Sequence, residues 1–97
     1  MLTKNQIHII SHVLHILENE GATFAPTCSP SRGYTARQTE QDLLSPEAHL
    51  DSVVVEFREE AVCFSIEFST LEIDSDPTDC IARAMMVRRA LLNMSSN

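Results

Sequence analysis

The chain of 97 residues is short enough to predict a single domain. With 43% apolar and 22% charged residues, its composition is that of a globular protein and excludes collagen, mucin and wholly disordered chains. The net charge of −7 argues against direct binding to nucleic acid, because neutralising phosphates requires a basic surface. No apolar run approaches the ~20 residues of a membrane span, and the first residues lack the apolar stretch of a secretory signal. We therefore expect a cytoplasmic protein without membrane contact.

The first predicted element is a helix over residues 4–20, which lies between an N-cap at Thr3 and Gly21. Apolar side chains recur every three or four residues and form one stripe that would face a core. The stripe consists of Ile7, Ile10, Val13, Leu14 and Leu17. The opposite face carries His8, His12 and His15, whose spacing places three imidazoles in one column.

Residues 22–51 are rich in proline, serine and threonine, which predicts a long loop. Within it we expect a short strand over residues 34–38. A capped helical turn is expected over residues 45–49, with Ser45 as N-cap and Pro46 in the first turn.

Two strands follow, over residues 52–57 and 61–68, because apolar side chains alternate in both. A hairpin that closes over residues 58–61 places Phe57 opposite Val62 and brings the apolar side chains to one side of the sheet. The other side collects Val54, Glu56, Cys63, Ser65 and Glu67. A third short strand is expected over residues 71–73, where it would either extend the sheet or turn away from it.

Asp76 as N-cap and Pro77 in the first turn predict a final helix that runs to about Asn93. Its buried stripe is expected to consist of Ile81, Ala84, Met85, Val87, Leu91 and Leu92. Arg88 falls inside that stripe, and Met86 and Ala90 make the opposite side apolar as well. A helix that is apolar on more than one side indicates burial against another chain, so a homodimer through this helix is one expectation.

Together these elements predict an α+β fold. It has a small antiparallel sheet of two to four strands, with an N-terminal and a C-terminal helix packed on one face. Three cysteines without a Cys-x-x-Cys pair predict reduced thiols rather than a disulfide framework. Cys63 and Cys80 lie within apolar patterns and are expected to be buried.

Acidic side chains are concentrated in the middle of the chain. Residues 38–79 contain twelve acids and one base, whereas the remainder contains two acids and six bases. Our main hypothesis is therefore a small interaction or inhibitor module, without a cofactor, that binds a basic site on a partner protein. The expected contact residues are Glu56, Glu59, Glu60 and Glu67 on the sheet and its turn, and Arg32, Tyr34 and Arg37 in the preceding loop.

By composition alone, the chain is similar to acidic inhibitors encoded by phages and mobile elements, among them anti-CRISPR and DNA-mimic proteins. Acidic charge also serves solubility alone, and that interpretation stays open. In a second hypothesis His8, His12 and His15 bind zinc, nickel or copper, or titrate together near neutral pH. A carboxylate or His49 would have to complete such a metal site.

An enzyme is the disfavoured third hypothesis. Cys28 has Arg32 nearby, which would favour its thiolate, but the sequence places no histidine against it. The two glycines are too few for a Gly-rich phosphate-binding loop.

Overall fold

The structure, a computed structural model, describes residues 2–27, 32–45, 47 and 50–95. Within these residues the chain forms four helices and three strands. In chain order they are α1 (Lys4–Asn19), β1 (Thr23–Pro26), α2 (Ala36–Leu44), β2 (Ser52–Glu59), β3 (Val62–Ser69), α3 (Thr70–Ser75) and α4 (Pro77–Ser95). The predicted α+β fold, with helices at both ends of the chain, is confirmed.

The strands form one antiparallel sheet in the order β1–β2–β3. One side of this sheet carries Phe24, Val53, Val55 and Phe68, all of which are buried. The apolar stripes of α1 and α4 belong to the same core, in which α4 packs on β2 and β3 while α1 packs on α2, α3 and α4. These helices contribute Ile10, Val13, Leu14, Leu17, Cys80, Ala84 and Leu91.

Local sequence signals explain where the two terminal helices begin. The hydroxyl of Thr3 accepts a hydrogen bond from the N–H of Gln6 (3.1 Å), and the Gln6 side chain accepts one from the N–H of Thr3 (2.8 Å). After α1 the chain turns through Gly21 at φ 96°, a left-handed conformation that favours glycine. As predicted, α4 begins at Pro77.

The predicted hairpin is confirmed, but its register differs by two residues. Phe57 lies opposite Phe64 and Val53 lies opposite Phe68, because the loop holds only two residues, Glu60 and Ala61. Glu60 adopts φ 54°, the left-handed conformation that two-residue hairpin loops require at their first position. Since side chains alternate along a strand, a shift of two residues keeps each one on its predicted side.

The predicted strand over residues 71–73 is wrong. The Ser69 hydroxyl accepts a hydrogen bond from the N–H of Glu72 (3.0 Å), and this N-cap starts α3 directly at the end of β3. The apolar pair Leu71 and Ile73 suggested a strand, but the local capping signal decides the structure.

The long loop predicted for residues 22–51 contains two regular elements instead. The strand expected over residues 34–38 is wrong, because Thr35 and Gln38 form a capping box that starts α2. Only Tyr34 pairs, in an isolated bridge with Phe24 of β1. Ser45 is the C-cap of α2, and its hydroxyl also accepts a hydrogen bond from the N–H of Glu47 (3.4 Å). Residues 46, 48 and 49 of the predicted turn lie outside the described residues, so the turn itself stays a prediction.

Candidate functional site

Glu56 lies on the side of the sheet that faces away from the helical core, yet it is only 3% exposed. Its Oε1 accepts a hydrogen bond from Nη1 of Arg32 (3.2 Å), and its Oε2 accepts one from the thiol of Cys63 (3.4 Å). Burial raises the pKa of the Cys63 thiol, and the adjacent Glu56 carboxylate raises it further. The Glu56 carboxylate is therefore engaged within the chain.

The other three predicted acids are accessible. Glu60 is exposed and Glu59 half-buried at the hairpin loop, while the exposed Glu67 lies five residues from the start of β3, roughly 17 Å along the strand. Glu67 accepts a hydrogen bond from the hydroxyl of Ser52 (2.9 Å). Within the part of the chain that the structure describes, no cation lies within salt-bridge distance of these three carboxylates.

Arg32 and Tyr34, which the sequence suggested as contact residues, both serve contacts inside the fold. Arg32 forms the ion pair with Glu56. The backbone of Tyr34 exchanges two hydrogen bonds with the backbone of Phe24 (3.0 and 2.8 Å). These bonds occupy the outward N–H and C=O of Phe24 and cover the outer edge of β1. Arg37 is exposed on α2, separate from the acidic hairpin.

The segment that covers β1 is held to α1 by carboxylates. Glu18 accepts a hydrogen bond from the N–H of Ala36 in the first turn of α2 (2.7 Å), and Glu40 accepts one from the Ser11 hydroxyl (2.6 Å). The bond from Ser11 holds the pKa of the Glu40 carboxyl below its ordinary value; partial burial opposes this effect, and the nearby His15 adds to it.

The three predicted histidines do not converge. His8 and His12 border a cavity of about 380 Å³ between α1 and the start of α4, whereas Nε2 of His15 lies 3.5 Å from Oε2 of Glu40. In residues 2–27, 32–45, 47 and 50–95, no three His, Cys, Asp or Glu side chains are placed so that they could hold one metal ion. His49 and Cys28 lie outside those ranges, and metal binding stays a prediction.

Sequence reasoning missed the outer edge of β3. In an antiparallel pair only alternate residues exchange backbone hydrogen bonds. The N–H of Thr70 donates a hydrogen bond to the C=O of Asp51 (2.8 Å), so these two residues form a hydrogen-bonded pair. Every second residue before Thr70 is then also bonded to β2, namely Phe68, Ile66, Phe64 and Val62. The N–H and C=O groups of Cys63, Ser65 and Glu67 therefore point outward, where no described strand pairs with them.

An apolar stripe of α4 runs beside this edge. Met86 is 67% and Met94 57% exposed, and Ala90 lies exposed between them at the helical spacing of four residues. We call Met86, Ala90 and Met94 the α4 stripe. A groove of about 440 Å³ separates the helix from the strand and is lined by Cys63, Phe64, Ser65, Met86, Val87 and Ala90. The sequence signal for this surface was the second apolar side of α4.

Arg88 leaves the buried stripe of α4 and binds the end of α1. Its Nε donates a hydrogen bond to the backbone C=O of Glu20 (3.0 Å). Leu92, expected in the buried stripe, is 38% exposed.

Comparison with known proteins gives this chain no relatives: no family model, no curated protein and no solved structure matches it. The helices described by the structure all lack the combination of length and apolar character that a bilayer crossing demands.

Proposed function

We propose that this chain is a non-enzymatic, cytoplasmic interaction module that docks accessible acids on a basic site of a partner protein and so blocks that site. The observation that carries the proposal is the accessibility of Glu59, Glu60 and Glu67, none of which has a cation partner among the described residues. Glu56 and Arg32 are left out of the contact surface, because each already satisfies the other.

Ion pairs elsewhere in the fold leave little positive charge to offset these acids. Arg83 binds both Glu72 (3.1 Å) and Asp79 (2.9 Å), and Arg32 binds Glu56. Within the hairpin of β2 and β3, Arg58 is the single base among four acids. The hairpin therefore presents a negative surface, which attracts a basic partner and speeds its encounter.

The described cysteines favour a binding role over nucleophilic catalysis. Burial is the main reason that the pKa values of both the Cys63 and Cys80 thiols are raised, so both stay protonated at neutral pH. The hydrogen bond from Ser11 holds the pKa of the Glu40 carboxyl below its ordinary value, whereas a general acid at neutral pH needs a raised pKa.

The test begins with capture of partners from the lysate of the source organism at low and at high salt, followed by calorimetry with the purified partner. Reversing Glu59, Glu60 and Glu67 to lysine is expected to weaken binding by about tenfold or more, since exposed charges contribute up to about 1 kcal/mol each. The matched control reverses three acids outside the hairpin, Glu20, Asp42 and Glu47, and is expected to retain most of the affinity.

Binding by this mechanism weakens steeply as salt rises, because screening reduces the attraction between exposed charges. Affinity that is unchanged in the triple hairpin variant, or that is insensitive to salt, would overturn the proposal.

A further inference from the structure

We propose that two copies of this chain associate by antiparallel pairing of their β3 strands, which joins the two sheets into one of six strands. The α4 stripes of the two copies then meet beneath the new strand pair. The dimer does not depend on the acidic docking proposed above, although Glu67 belongs to both surfaces.

The outer edge of β3 lacks most of the features that normally keep an edge strand from pairing, and Glu67 is its one charged side chain. Such strands are usually short, or carry lysine, proline or a bulge. β3 is eight residues long, contains no proline, lysine or arginine, and runs in unbroken register from Ser52↔Ser69 to Glu59↔Val62. Its outward N–H and C=O groups are therefore ready to pair with another strand.

One two-fold register suits this strand. When the axis passes through Ser65, Cys63 faces the partner's Glu67, and Ser65 faces its own copy. Cys63, Ser65 and Glu67, whose backbone groups point outward, then form three facing pairs across the axis. Each pair exchanges two backbone hydrogen bonds, which gives about six new ones. On the core side, Phe64 faces the partner's Ile66, so two half-buried apolar side chains cover each other.

Neighbouring registers are worse for identifiable reasons. An axis through Glu67 places that carboxylate directly opposite its own copy, and like charges in such a pair are destabilising. An axis through Cys63 lies so close to the hairpin loop that only the first residues of β3 overlap. The strand sequence thus selects the register centred on Ser65.

The helix beside the edge supplies the apolar part of the interface. Because α4 packs on β3, pairing two β3 strands brings the two α4 helices together on the core side of the sheet. Met86 and Met94, which are more than half exposed in one copy, are then removed from water, and methionine adapts well to such contacts. The groove between α4 and β3 is lined by Ser65, on which the two-fold axis lies, and by Met86 of the α4 stripe.

The charge of the chain predicts how the dimer responds to salt. Each copy carries −7, so the two copies repel one another and screening by salt strengthens their association. Docking on a basic partner has the opposite salt dependence. The two proposals therefore fail independently of each other.

The test is sedimentation of the full-length chain over a range of concentrations, at low and high salt. We expect a dimer that is tighter at high salt. Ser65→Lys places two lysines opposite each other at the axis and is expected to raise the dimer Kd by roughly tenfold or more. Met86→Lys, which puts a charge into the α4 stripe, acts in the same direction. Both residues are exposed, so the monomer tolerates either change.

Thr23→Lys is the matched control, since it places the same lysine at an exposed position on the other edge strand, and it is expected to leave the dimer intact. Amide exchange supplies a second readout: the N–H groups of Cys63, Ser65 and Glu67 are expected to gain protection as concentration rises. A wild-type chain that stays monomeric at millimolar concentration, or a dimer whose Kd is unchanged in both lysine variants, would overturn the inference.

Discussion

The two edges of the sheet are treated in opposite ways. β1 is a four-residue strand that ends in Pro26, and the backbone of Tyr34 occupies its outward groups at Phe24. β3 is twice as long, and its outward groups at Cys63, Ser65 and Glu67 have no strand against them among the described residues. A short strand with proline and a covering segment is how proteins protect an edge, and β3 lacks such protection.

The cover of β1 is held at several points. Arg32 reaches the buried Glu56 on one side of the sheet, and Glu18 binds the first turn of α2 on the other. In this chain, Arg32 and Tyr34, which the sequence suggested as contact residues, also secure an edge of the sheet. The comparison teaches that the unprotected edge, rather than the loop rich in arginine and tyrosine, is the place where the fold is open to another strand.

The largest expected effect is a difference in stability between variants that truncate one phenylalanine on each edge strand. Phe24 is completely buried, so Phe24→Ala is expected to lower the free energy of unfolding by about 3–5 kcal/mol. Phe64 is half-buried, and Phe64→Ala is expected to cost about 1–2 kcal/mol in dilute solution. Urea unfolding of both variants measures the difference.

Repeating the unfolding at high protein concentration sharpens the comparison. In the proposed dimer Phe64 packs against the partner's Ile66, so the loss in free energy of unfolding caused by Phe64→Ala grows with protein concentration. The loss caused by Phe24→Ala does not change with concentration, because Phe24 lies away from the dimer interface. A destabilisation by Phe64→Ala that stays the same at every concentration would mean that the two edges do not differ in this way.

A smaller effect is expected from loosening the cover of β1. Arg32→Ala leaves the Glu56 carboxylate, with 4% side-chain exposure, without its cation. Because Arg32 itself is exposed and the Cys63 thiol still donates to Glu56, we expect a loss of about 1–2 kcal/mol, below the range for a fully buried pair. Arg37→Ala removes an exposed arginine from the same part of the chain and is expected to change stability by less than about 0.5 kcal/mol.

The double variant Arg32→Ala, Glu56→Gln removes the buried charge together with its partner and is expected to recover part of the loss. Thermal and urea unfolding both report it. If Arg32→Ala and Arg37→Ala behave alike, the ion pair does not anchor the covering segment.

The sequence was sufficient for the elements whose signals are periodic or strongly capped. The stripe of α1, the Asp76–Pro77 start of α4 and the alternation in β2 and β3 all predicted the observed structure. The hairpin register could not be derived from alternation alone, because any even shift keeps the same faces, and the loop length depends on Glu60 adopting a left-handed conformation.

The remaining elements depend on contacts between residues that are distant in the sequence. β1 is too short to alternate visibly, and three of its four residues are buried, so its pattern resembles neither an amphipathic strand nor a loop. The burial of Glu56 depends on Arg32, 24 residues earlier, and a local pattern of acids cannot distinguish it from Glu67. The open edge of β3 became apparent only from the strand order.

The smallest expected effect concerns pH and the anchoring of α2. The pKa of Glu40 is lowered in the folded chain, chiefly by the hydrogen bond from Ser11. Its contribution to stability is therefore present above the ordinary pKa of a glutamate and is lost as pH falls through the lower folded value. The carboxylate is partly solvated, which limits the effect to on the order of 0.5 kcal/mol.

Glu40→Gln keeps an acceptor for Ser11 without titrating in this range, so the difference between wild type and variant isolates this group from the other acids. In amide exchange below pH 4, the Phe24 and Tyr34 amides that close the β1 edge are expected to lose protection in wild type relative to the variant, while the Val55 and Ile66 amides between β2 and β3 do not. Equal changes at both places would show that Glu40 acts on the whole fold rather than on the cover of one edge.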